Sequence, residues 1–336
     1  MTLPDIAPPL LRWYEQNKRT LPFRTVSTPY RVWVSEIMLQ QTRVSAALPY
    51  FERFMAELPT VADLAACDPE RLHKLWEGLG YYSRVRNLQK AAQIVMEQHG
   101  GALPADYDAL LKLPGVGAYT AGAIASISFG LPVPAVDGNV LRVVARISGD
   151  GVMELQPPER PGDYNQALME LGALVCLPGG APLCSECPLR GLCAARALGV
   201  QETLPVKAPP AAKRTQHWTV ALVLDMENRR VLLQQRPQKG LLAGLWQPVL
   251  LEGARSAMQT EQALAALGVT ARAVEPLSPA RHVFSHLVWE MDGFACAAQS
   301  CAPPPGCVWA GRAEVDEVYT LPGAFKAYRP VLKKYL

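Results

Sequence analysis

The chain has 336 residues, of which 49% are hydrophobic and 19% are charged, so we expect two globular domains with apolar cores. The formal net charge is only +3, and residues 1–200 carry 18 Lys and Arg against 19 Asp and Glu; bulk charge therefore does not indicate nucleic-acid binding. No stretch approaches 18 uninterrupted apolar residues, and the first residues lack a basic segment followed by an apolar core. We expect a cytoplasmic protein with neither a membrane span nor an export signal.

The first half is predicted to be helical, since no strand-like alternation occurs in it. Its helix starts carry capping residues or a first-turn proline. The predicted helices begin at Thr28-Pro29, Thr60, Asp68-Pro69, Ser83 and Asp163.

A glycine turn interrupts this pattern in LPGVGAYTAGAI, residues 113–124. Gly115 and Gly117 permit backbone conformations that side chains forbid, and a helix is predicted to begin at Gly117-Ala118. Free N–H groups at a helix start attract a phosphate. The residues alone favour an ordinary helix–turn–helix corner, and no Gly-Lys-Ser/Thr follows to make a Walker loop.

Two carboxylates in the helical half are candidates for a functional role. PYRVWVSEIMLQ predicts a helix with Glu36 at the border of its buried stripe, which consists of Tyr30, Val34, Ile37 and Met38. There Glu36 is either a solvated side chain near Arg43 or a half-buried acid with a raised pKa. Asp137 precedes another helical run, where it is a good N-cap residue.

Four of the eight cysteines fall within residues 176–193, in the run CLPGGAPLCSECPLRGLC. In a chain without an export signal this clustering indicates a metal site rather than a disulfide framework. Spacing alone fits zinc as well as iron and sulfur. The four residues are Cys176, Cys184, Cys187 and Cys193.

Residues 200–216 are predicted to be a linker, because Pro209 and Pro210 restrict the chain and no hydrophobic period is present. The following residues, 217–336, change in character. A β-hairpin around Glu227-Asn228, a helix closed by Gly268, a second strand pair and a final helix predict an α+β domain.

Taken together, these segments resemble the endonuclease III superfamily of helix-hairpin-helix DNA glycosylases, and most closely its adenine DNA glycosylases, the MutY family. The resemblance covers nearly the whole chain. The matching segments occur in family order: WVSEIMLQQTRV, GLGYYSRVRNL, LPGVGAYTAGAI, VPAVDGNVLRV and the cysteine quartet.

The resemblance implies a glycosidic reaction that uses both carboxylates. Glu36 would protonate adenine at N7, and Asp137 would stabilise the cationic sugar, with Asn139 as its hydrogen-bonding partner. Bifunctional relatives carry a lysine nucleophile where this chain has Tyr119, which implies a monofunctional hydrolase. We expect Tyr119 to pack near Asp137 or to bond to it.

The resemblance also assigns residues that engage DNA. Gly115 and Gly117 would bind a phosphate, Tyr81 would intercalate beside the unflipped base, and Gln41 would fill the gap. Arg84 and Arg86 form a predicted basic patch with Lys90. The adenine pocket maps onto Arg24, Leu39 and Gln166, although Phe23 stands where the family usually has Trp.

For the cysteines, the resemblance implies a 4Fe–4S cluster that braces a DNA-binding loop carrying Arg190. Seven residues separate Cys176 from Cys184, where the family usually has six. Residues 217–336 resemble the C-terminal domain of the family, a relative of the Nudix hydrolases. They lack the glutamates that would hold magnesium in a Nudix hydrolase, so pyrophosphatase activity is not expected. The loop of Phe284, Ser285 and His286 would recognise 8-oxoguanine.

We therefore expect an all-α helix-hairpin-helix glycosylase domain, residues 1–199, with an iron–sulfur loop at 176–193, followed by a Nudix-like α+β recognition domain. The predicted function is excision of adenine opposite 8-oxoguanine or guanine in double-stranded DNA by a monomer that associates with the nucleoid. The alternatives are an endonuclease III-like lyase and a catalytically silent damage sensor. The missing lysine opposes the first, and the presence of both Glu36 and Asp137 opposes the second.

Overall fold

The structure, a computed structural model, describes residues 5–149, 160–180, 182–206, 212–299 and 301–336. The chain divides into an N-terminal unit (Met1–Ala66 and Arg86–Pro209) and a C-terminal unit (Cys67–Val85 and Pro210–Leu336). Residues 67–85 thus belong to the C-terminal unit, whereas the sequence-based boundaries assigned them to residues 1–199. Pro209 and Pro210 of the predicted linker lie outside the described residues, and the first strand begins within that linker, at Arg214.

All regular elements described before residue 207 are helices, which confirms the class predicted for the first half. They are α1 (Ala7–Asn17), α2 (Pro22–Thr25), α3 (Pro29–Leu39), α4 (Val44–Glu57), α5 (Val61–Ala66), α6 (Pro69–Leu75), α7 (Ser83–Gln98), α8 (Tyr107–Leu111), α9 (Ala118–Phe129), α10 (Gly138–Ser148), α11 (Pro161–Leu174) and α12 (Ala194–Leu198).

The predicted capping chemistry sets several of these helix starts. The Thr28 hydroxyl accepts from the Arg31 N–H at 3.3 Å and Pro29 occupies the first turn of α3. Asp68 caps α6 in the same way through Glu70 and Arg71. The helix predicted at Asp163 begins two residues earlier, at Pro161, because a first-turn proline is already in a helical conformation.

The core of the N-terminal unit buries α3 on nearly every side. Residues 32–38 are all buried, including Glu36, so Glu36 does not lie at the border of a half-exposed helix as predicted. The reason is that α3 packs against both α4 and α9. A second apolar cluster joins α1, α10 and α11 around Leu10, Val143 and Leu168.

The C-terminal unit is built on a seven-stranded mixed sheet. Its strands are β1 (Arg214–Asp225), β2 (Arg230–Gln235), β3 (Trp246–Glu252), β4 (Ala271–Pro276), β5 (Ala280–Val283), β6 (Leu287–Ala298) and β7 (Cys307–Ala310). The strand order is β4-β6-β1-β3-β2-β7, with β5 paired to β6. Only the β1–β6 pair is parallel among the described pairings.

Both faces of the sheet are covered. Helix α13 (Ala257–Ala266) packs on one face through Leu264, and the C-terminal elements pack on the other. Alternate residues of β1 accordingly point to opposite cores. The predicted final helix is divided at Arg329-Pro330 into a 3-10 helix (Gly323–Tyr328) and α15 (Arg329–Tyr335), after α14 (Arg312–Glu317). The predicted α+β class is confirmed.

Candidate active site

A cavity of about 610 Å³ opens in the N-terminal unit. It lies where the C-terminal end of α3 meets the N-termini of α9 and α10 and one face of α11. Its lining includes both predicted carboxylates and all three predicted pocket residues, namely Glu36, Asp137, Arg24, Leu39 and Gln166. The fold therefore brings together residues that are separated by as many as 142 positions in the chain.

Glu36 is buried in the wall of this cavity, with 7% of its surface exposed. Burial raises the pKa of Glu36 to about 7 because an apolar environment disfavours the charged carboxylate. A hydrogen bond from Tyr119 opposes that rise, whereas the negative charge of Asp137 adds to it. The side chain can thus carry a proton at neutral pH, as a general acid must.

Tyr119 donates its hydroxyl hydrogen bond to Glu36 Oε2. The sequence-based expectation was that Tyr119 packs near Asp137 or bonds to it. The hydrogen bond goes to Glu36 instead, while Asp137 lines the same cavity and its charge influences the phenol. Burial and the adjacent Glu36 raise the pKa of Tyr119 well above its ordinary value, so the phenol remains a donor. The physical reason is position: Tyr119 is in the first turn of α9, which packs directly on α3.

Asp137 caps α10 as predicted, with Oδ1 accepting from the Val140 N–H at 2.7 Å. Its second oxygen accepts from Asn139 Nδ2 at 2.9 Å. Asn139 in turn accepts from Arg142, and Arg142 donates to the Cys176 carbonyl at 2.8 Å. This chain of hydrogen bonds fixes the orientation of the carboxylate that faces the cavity.

The pocket contains two charged residues that the sequence analysis missed, Arg19 and Glu170. Glu170 is 1% exposed and binds both Arg19 and Arg24, with Arg24 Nη2 at 2.9 Å from Oε2. Arg24 Nε also donates to Gln166 Oε1 at 3.1 Å. A signal was present in the sequence, because Gln166 and Glu170 are four residues apart and therefore share one face of α11.

The glycine turn between α8 and α9 has the expected form. Gly115 has a φ of +78°, and a Cβ there would lie 2.8 Å from Cβ of Asn87. Gly117 caps α9 in an extended conformation, and a Cβ there would meet nothing within 4 Å. The two glycines thus differ. The left-handed backbone at position 115 requires a glycine, whereas Gly117 leaves the helix N-terminus open to a ligand.

The two residues predicted to enter the base stack share an unusual backbone geometry. Gln41 has a φ of +56° and Tyr81 a φ of +49°, in the left-handed region that side chains rarely adopt. Both side chains are exposed. Such strained and exposed positions are typical of functional loops.

Arg84 does not belong to a surface basic patch, which corrects its predicted role in DNA binding. It is 8% exposed, donates to the carbonyls of Leu79 and Gly80 at 3.2 Å, and stacks on Trp76. Burial lowers the pKa of Arg84 to about 10. The reason is that Arg84 lies on the inner side of the turn that carries Tyr81, so its function there is to hold the turn. Arg86 is partly buried, and Lys90 is exposed.

The four clustered cysteines lie close enough to influence one another. Burial is the main cause that raises the pKa of Cys187 to about 11, and the charges of Cys176, Cys193 and Cys184 contribute to the rise. Arg146 Nη1 donates to Cys176 Sγ at 3.2 Å. A thiol with a pKa as high as that of Cys187 becomes a thiolate at neutral pH only beside a positive partner such as a metal. Within the described ranges, no three His, Cys, Asp or Glu form a ligand set for one metal ion.

The predicted recognition loop connects β5 to β6 in the C-terminal unit. Phe284 packs edge-on against Trp289 at 5.0 Å between ring centroids, so its ring anchors the loop in the core. Ser285 and His286 are exposed at the tip. The Ser285 hydroxyl lies 3.4 Å from the Tyr81 hydroxyl, which belongs to the same unit.

Comparison with known proteins shows to which family this chain belongs. The human adenine DNA glycosylase is 36% identical, over 95% of this chain and 72% of its own length. The mouse adenine DNA glycosylase is 37% identical, over 89% of this chain and 72% of its own length. This chain belongs to the adenine DNA glycosylases. That membership confirms the family predicted from the sequence.

Both units of this adenine DNA glycosylase family member also match family profiles. Residues 34–154 match the HhH-GPD superfamily base excision DNA repair protein profile, and residues 219–329 match the NUDIX domain profile. Among solved structures, a thermostable thymine-DNA glycosylase is similar, with 26% identity and a TM-score of 0.52 over 56% of this chain and 94% of that one. None of the described helices has the length and apolar character needed to cross a bilayer.

Proposed function

We propose that this protein removes adenine mispaired with 8-oxoguanine or guanine from double-stranded DNA by hydrolysing the N-glycosidic bond. One observation carries the proposal: a buried glutamate with a pKa of about 7, Glu36, lines the same cavity as the rigidly held Asp137. The cavity of about 610 Å³ is large enough to receive a single purine base.

The acid step belongs to Glu36. Loss of adenine places negative charge on the departing base, and protonation at N7 neutralises that charge. A carboxyl group with a pKa near 7 is about half protonated at neutral pH and can donate in the transition state. The Tyr119 phenol then stabilises the carboxylate that remains, because it already donates to Glu36.

The second carboxylate acts on the sugar. Positive charge develops at C1′ as the bond breaks, and Asp137 stabilises it electrostatically. The Val140 N–H and the Asn139 amide occupy one position on each carboxylate oxygen and prevent the side chain from rotating away. A water molecule then adds at C1′ and releases a proton, which returns Glu36 to its acid form and completes the hydrolysis.

The reaction stops at base removal. A strand-cleaving glycosylase needs an amine nucleophile, and none of the described residues lining the cavity is a lysine. Tyr119 is in the first turn of α9, bound to Glu36, and its phenol cannot form a Schiff base. This supports a hydrolase rather than a lyase.

The duplex would be engaged through the loops described above. A DNA phosphate would bind at the N-terminus of α9 beside Gly117, where no side chain blocks the N–H groups. Tyr81 and Gln41 would enter the stack as the adenine is flipped into the cavity, a process that costs a few kcal/mol. Ser285 would accept a hydrogen bond from N7–H of 8-oxoguanine, which guanine lacks.

Cys176, Cys184, Cys187 and Cys193 would hold a 4Fe–4S cluster, which supplies a rigid cross-link between four thiolates. The proximity of these thiols to one another supports this proposal, and the donation from Arg146 favours the thiolate form of Cys176 that a metal ligand requires. The cross-link would brace the loop that carries Arg190. Purified protein should be yellow-brown and contain iron, and a colourless active preparation that contains zinc would refute the cluster.

One assay tests the proposed reaction. The protein is incubated with a duplex that holds a single adenine opposite 8-oxoguanine, and strand breaks are compared with and without alkali. Breaks that require alkali indicate a monofunctional glycosylase. Breaks without alkali would make the protein a lyase, and no breaks in either arm would make it a damage sensor. A duplex with adenine opposite thymine is the matched control.

A further inference from the structure

Glu170 is a buried anion in the wall of the base cavity. Its side chain is 1% exposed, and both carboxylate oxygens accept hydrogen bonds from arginines. Arg19 binds it bidentately at 2.7 and 2.9 Å and also through its backbone N–H at 3.0 Å. Arg24 Nη2 binds Oε2 at 2.9 Å. One carboxylate therefore holds two guanidinium groups in the wall of the active site.

Arg24 is the member of this group that faces the substrate space. Its Nε donates to Gln166 Oε1 at 3.1 Å, and its Nη1 donates to the Arg19 carbonyl at 3.2 Å. A guanidinium has five N–H donors, so two N–H groups of Arg24 remain without an acceptor among the described residues. Its side chain is 16% exposed and lines the cavity. The three hydrogen bonds that Arg24 already makes therefore fix the direction of its two remaining N–H groups.

Gln166 is oriented by the same contacts. Its oxygen accepts from Arg24, so the amide nitrogen is the group that donates to the Gly162 carbonyl at 3.3 Å. If Arg24 rotated, the amide oxygen would lose this donor, and the contact with Gly162 would hold the nitrogen alone. Glu170 thus determines the geometry of Gln166 through Arg24.

We propose that Glu170 is a positioning residue for base excision, fixing Arg24 and Gln166 in the geometry that receives the flipped base. The proposal rests on the proposed function of the cavity, and it extends that function to a residue that does not contact the reacting atoms. Displacement of a binding group by about 1 Å can slow catalysis by about 10²-fold.

The same residue also affects the acid. Glu36 is surrounded by Tyr119 from α9, Asp137 at the start of α10 and Arg24 from α2, with Arg19 and Glu170 behind Arg24. Glu170 neutralises part of the positive charge on the two arginines. Without it, the excess positive charge near Glu36 would favour the carboxylate over the acid, and excision would decline at lower pH.

A direct test needs no catalysis. The ¹H–¹⁵N signal of Arg24 Nε, assigned by its loss in Arg24→Lys, reports whether the side chain is held. We expect Glu170→Gln to broaden or shift this signal. Asp225→Asn is the matched control, because Asp225 is also a 1% exposed carboxylate paired to an arginine, Arg230, in the C-terminal unit. An unchanged Arg24 signal in Glu170→Gln would overturn the proposal, whether or not the protein excises adenine.

The kinetic test uses single-turnover excision on adenine opposite 8-oxoguanine, normalised to active sites. Glu170→Gln should lower the rate by about 10–10²-fold and move the decline of the pH–rate profile to lower pH, with nearly unchanged duplex affinity. Glu170→Asp keeps the charge and should restore the profile. If the role of Glu170 were purely structural, Glu170→Gln and Asp225→Asn would both lower thermal stability and leave the excision rate and the pH–rate profile as in the wild type. That result would refute the positioning role. Inactive wild-type protein would refute the proposed function instead, leaving the Arg24 signal as the test of Glu170.

Discussion

The hydrogen bond from Tyr119 to Glu36 makes a quantitative prediction for the pH dependence of excision. A glutamic acid with its ordinary pKa of 4.5 would be about 0.3% protonated at pH 7, whereas one with a pKa of about 7 is about half protonated. The wild-type rate should therefore fall as the pH rises through about 7. Tyr119→Phe removes the one phenolic donor that stabilises the Glu36 carboxylate.

The magnitude follows from the strength of that bond. A hydrogen bond to a charged group contributes about 1.5–3 kcal/mol, and one pKa unit corresponds to about 1.36 kcal/mol. Removal of the bond should raise the pKa of Glu36 by about 1–2 units. The acid then keeps its proton to higher pH, so the decline of the rate should move upward by the same interval.

The assay is single-turnover excision with enzyme in excess, measured across a pH series on both sides of neutrality. Tyr164→Phe is the matched control, because Tyr164 is a buried tyrosine on α11 that does not line the cavity. Its profile should coincide with that of the wild type. A Tyr119→Phe profile that stays in place, or that moves to lower pH, would show that this bond does not control the protonation of Glu36.

Three further predictions concern the acid, the glycine turn and the recognition loop. Glu36→Gln keeps the shape of the side chain but has no proton to give, so single-turnover excision should fall about 10²–10⁴-fold with duplex affinity retained; near-normal excision would remove Glu36 from the acid role. Gly115→Ala should lower thermal stability because a left-handed side chain costs roughly 1–2 kcal/mol and the new Cβ would lie 2.8 Å from a neighbouring side chain. Gly117→Ala should fold normally and weaken duplex binding, and equal behaviour of the two variants would contradict a phosphate site at this turn. Ser285→Ala combined with His286→Ala should reduce the preference for 8-oxoguanine over guanine about 10–100-fold, the value of one lost hydrogen bond and one unsatisfied group. The measurement is Kd and single-turnover rate on both duplexes at one salt concentration. An unchanged ratio of the two affinities would exclude this loop from lesion recognition.

Local chemistry in the sequence was enough to predict several of the helices and their starts. Thr28-Pro29 and Asp68-Pro69 each supply a capping oxygen and a first-turn proline, and both helices begin where these residues predict. The glycine turn was equally predictable, because two glycines around one valine mark a backbone turn that side chains disfavour, and Gly115 is left-handed. The two-part α-then-α+β organisation followed from the change in hydrophobic period after the linker.

The environment of each catalytic side chain depended on residues distant in sequence. Helical periodicity placed Glu36 at a half-exposed border, but packing of α3 against both α4 and α9 buries it and so raises its pKa. Arg84 follows two tyrosines in a basic segment, yet it is turned inward to hold the turn carrying Tyr81. A local sequence pattern cannot show whether a neighbouring helix will bury a given arginine or glutamate.

The sequence by itself determined the class of each half, several helix starts, the family and the candidate carboxylates, because capping, glycine conformations and motif order are encoded in short segments. Only the tertiary structure decided that Tyr119 binds Glu36, and that Glu170 holds Arg24 and Arg19. The physical reason is that pKa values and hydrogen-bond partners depend on burial and on distances between helices, and these are set when α3, α9, α10 and α11 pack around one cavity.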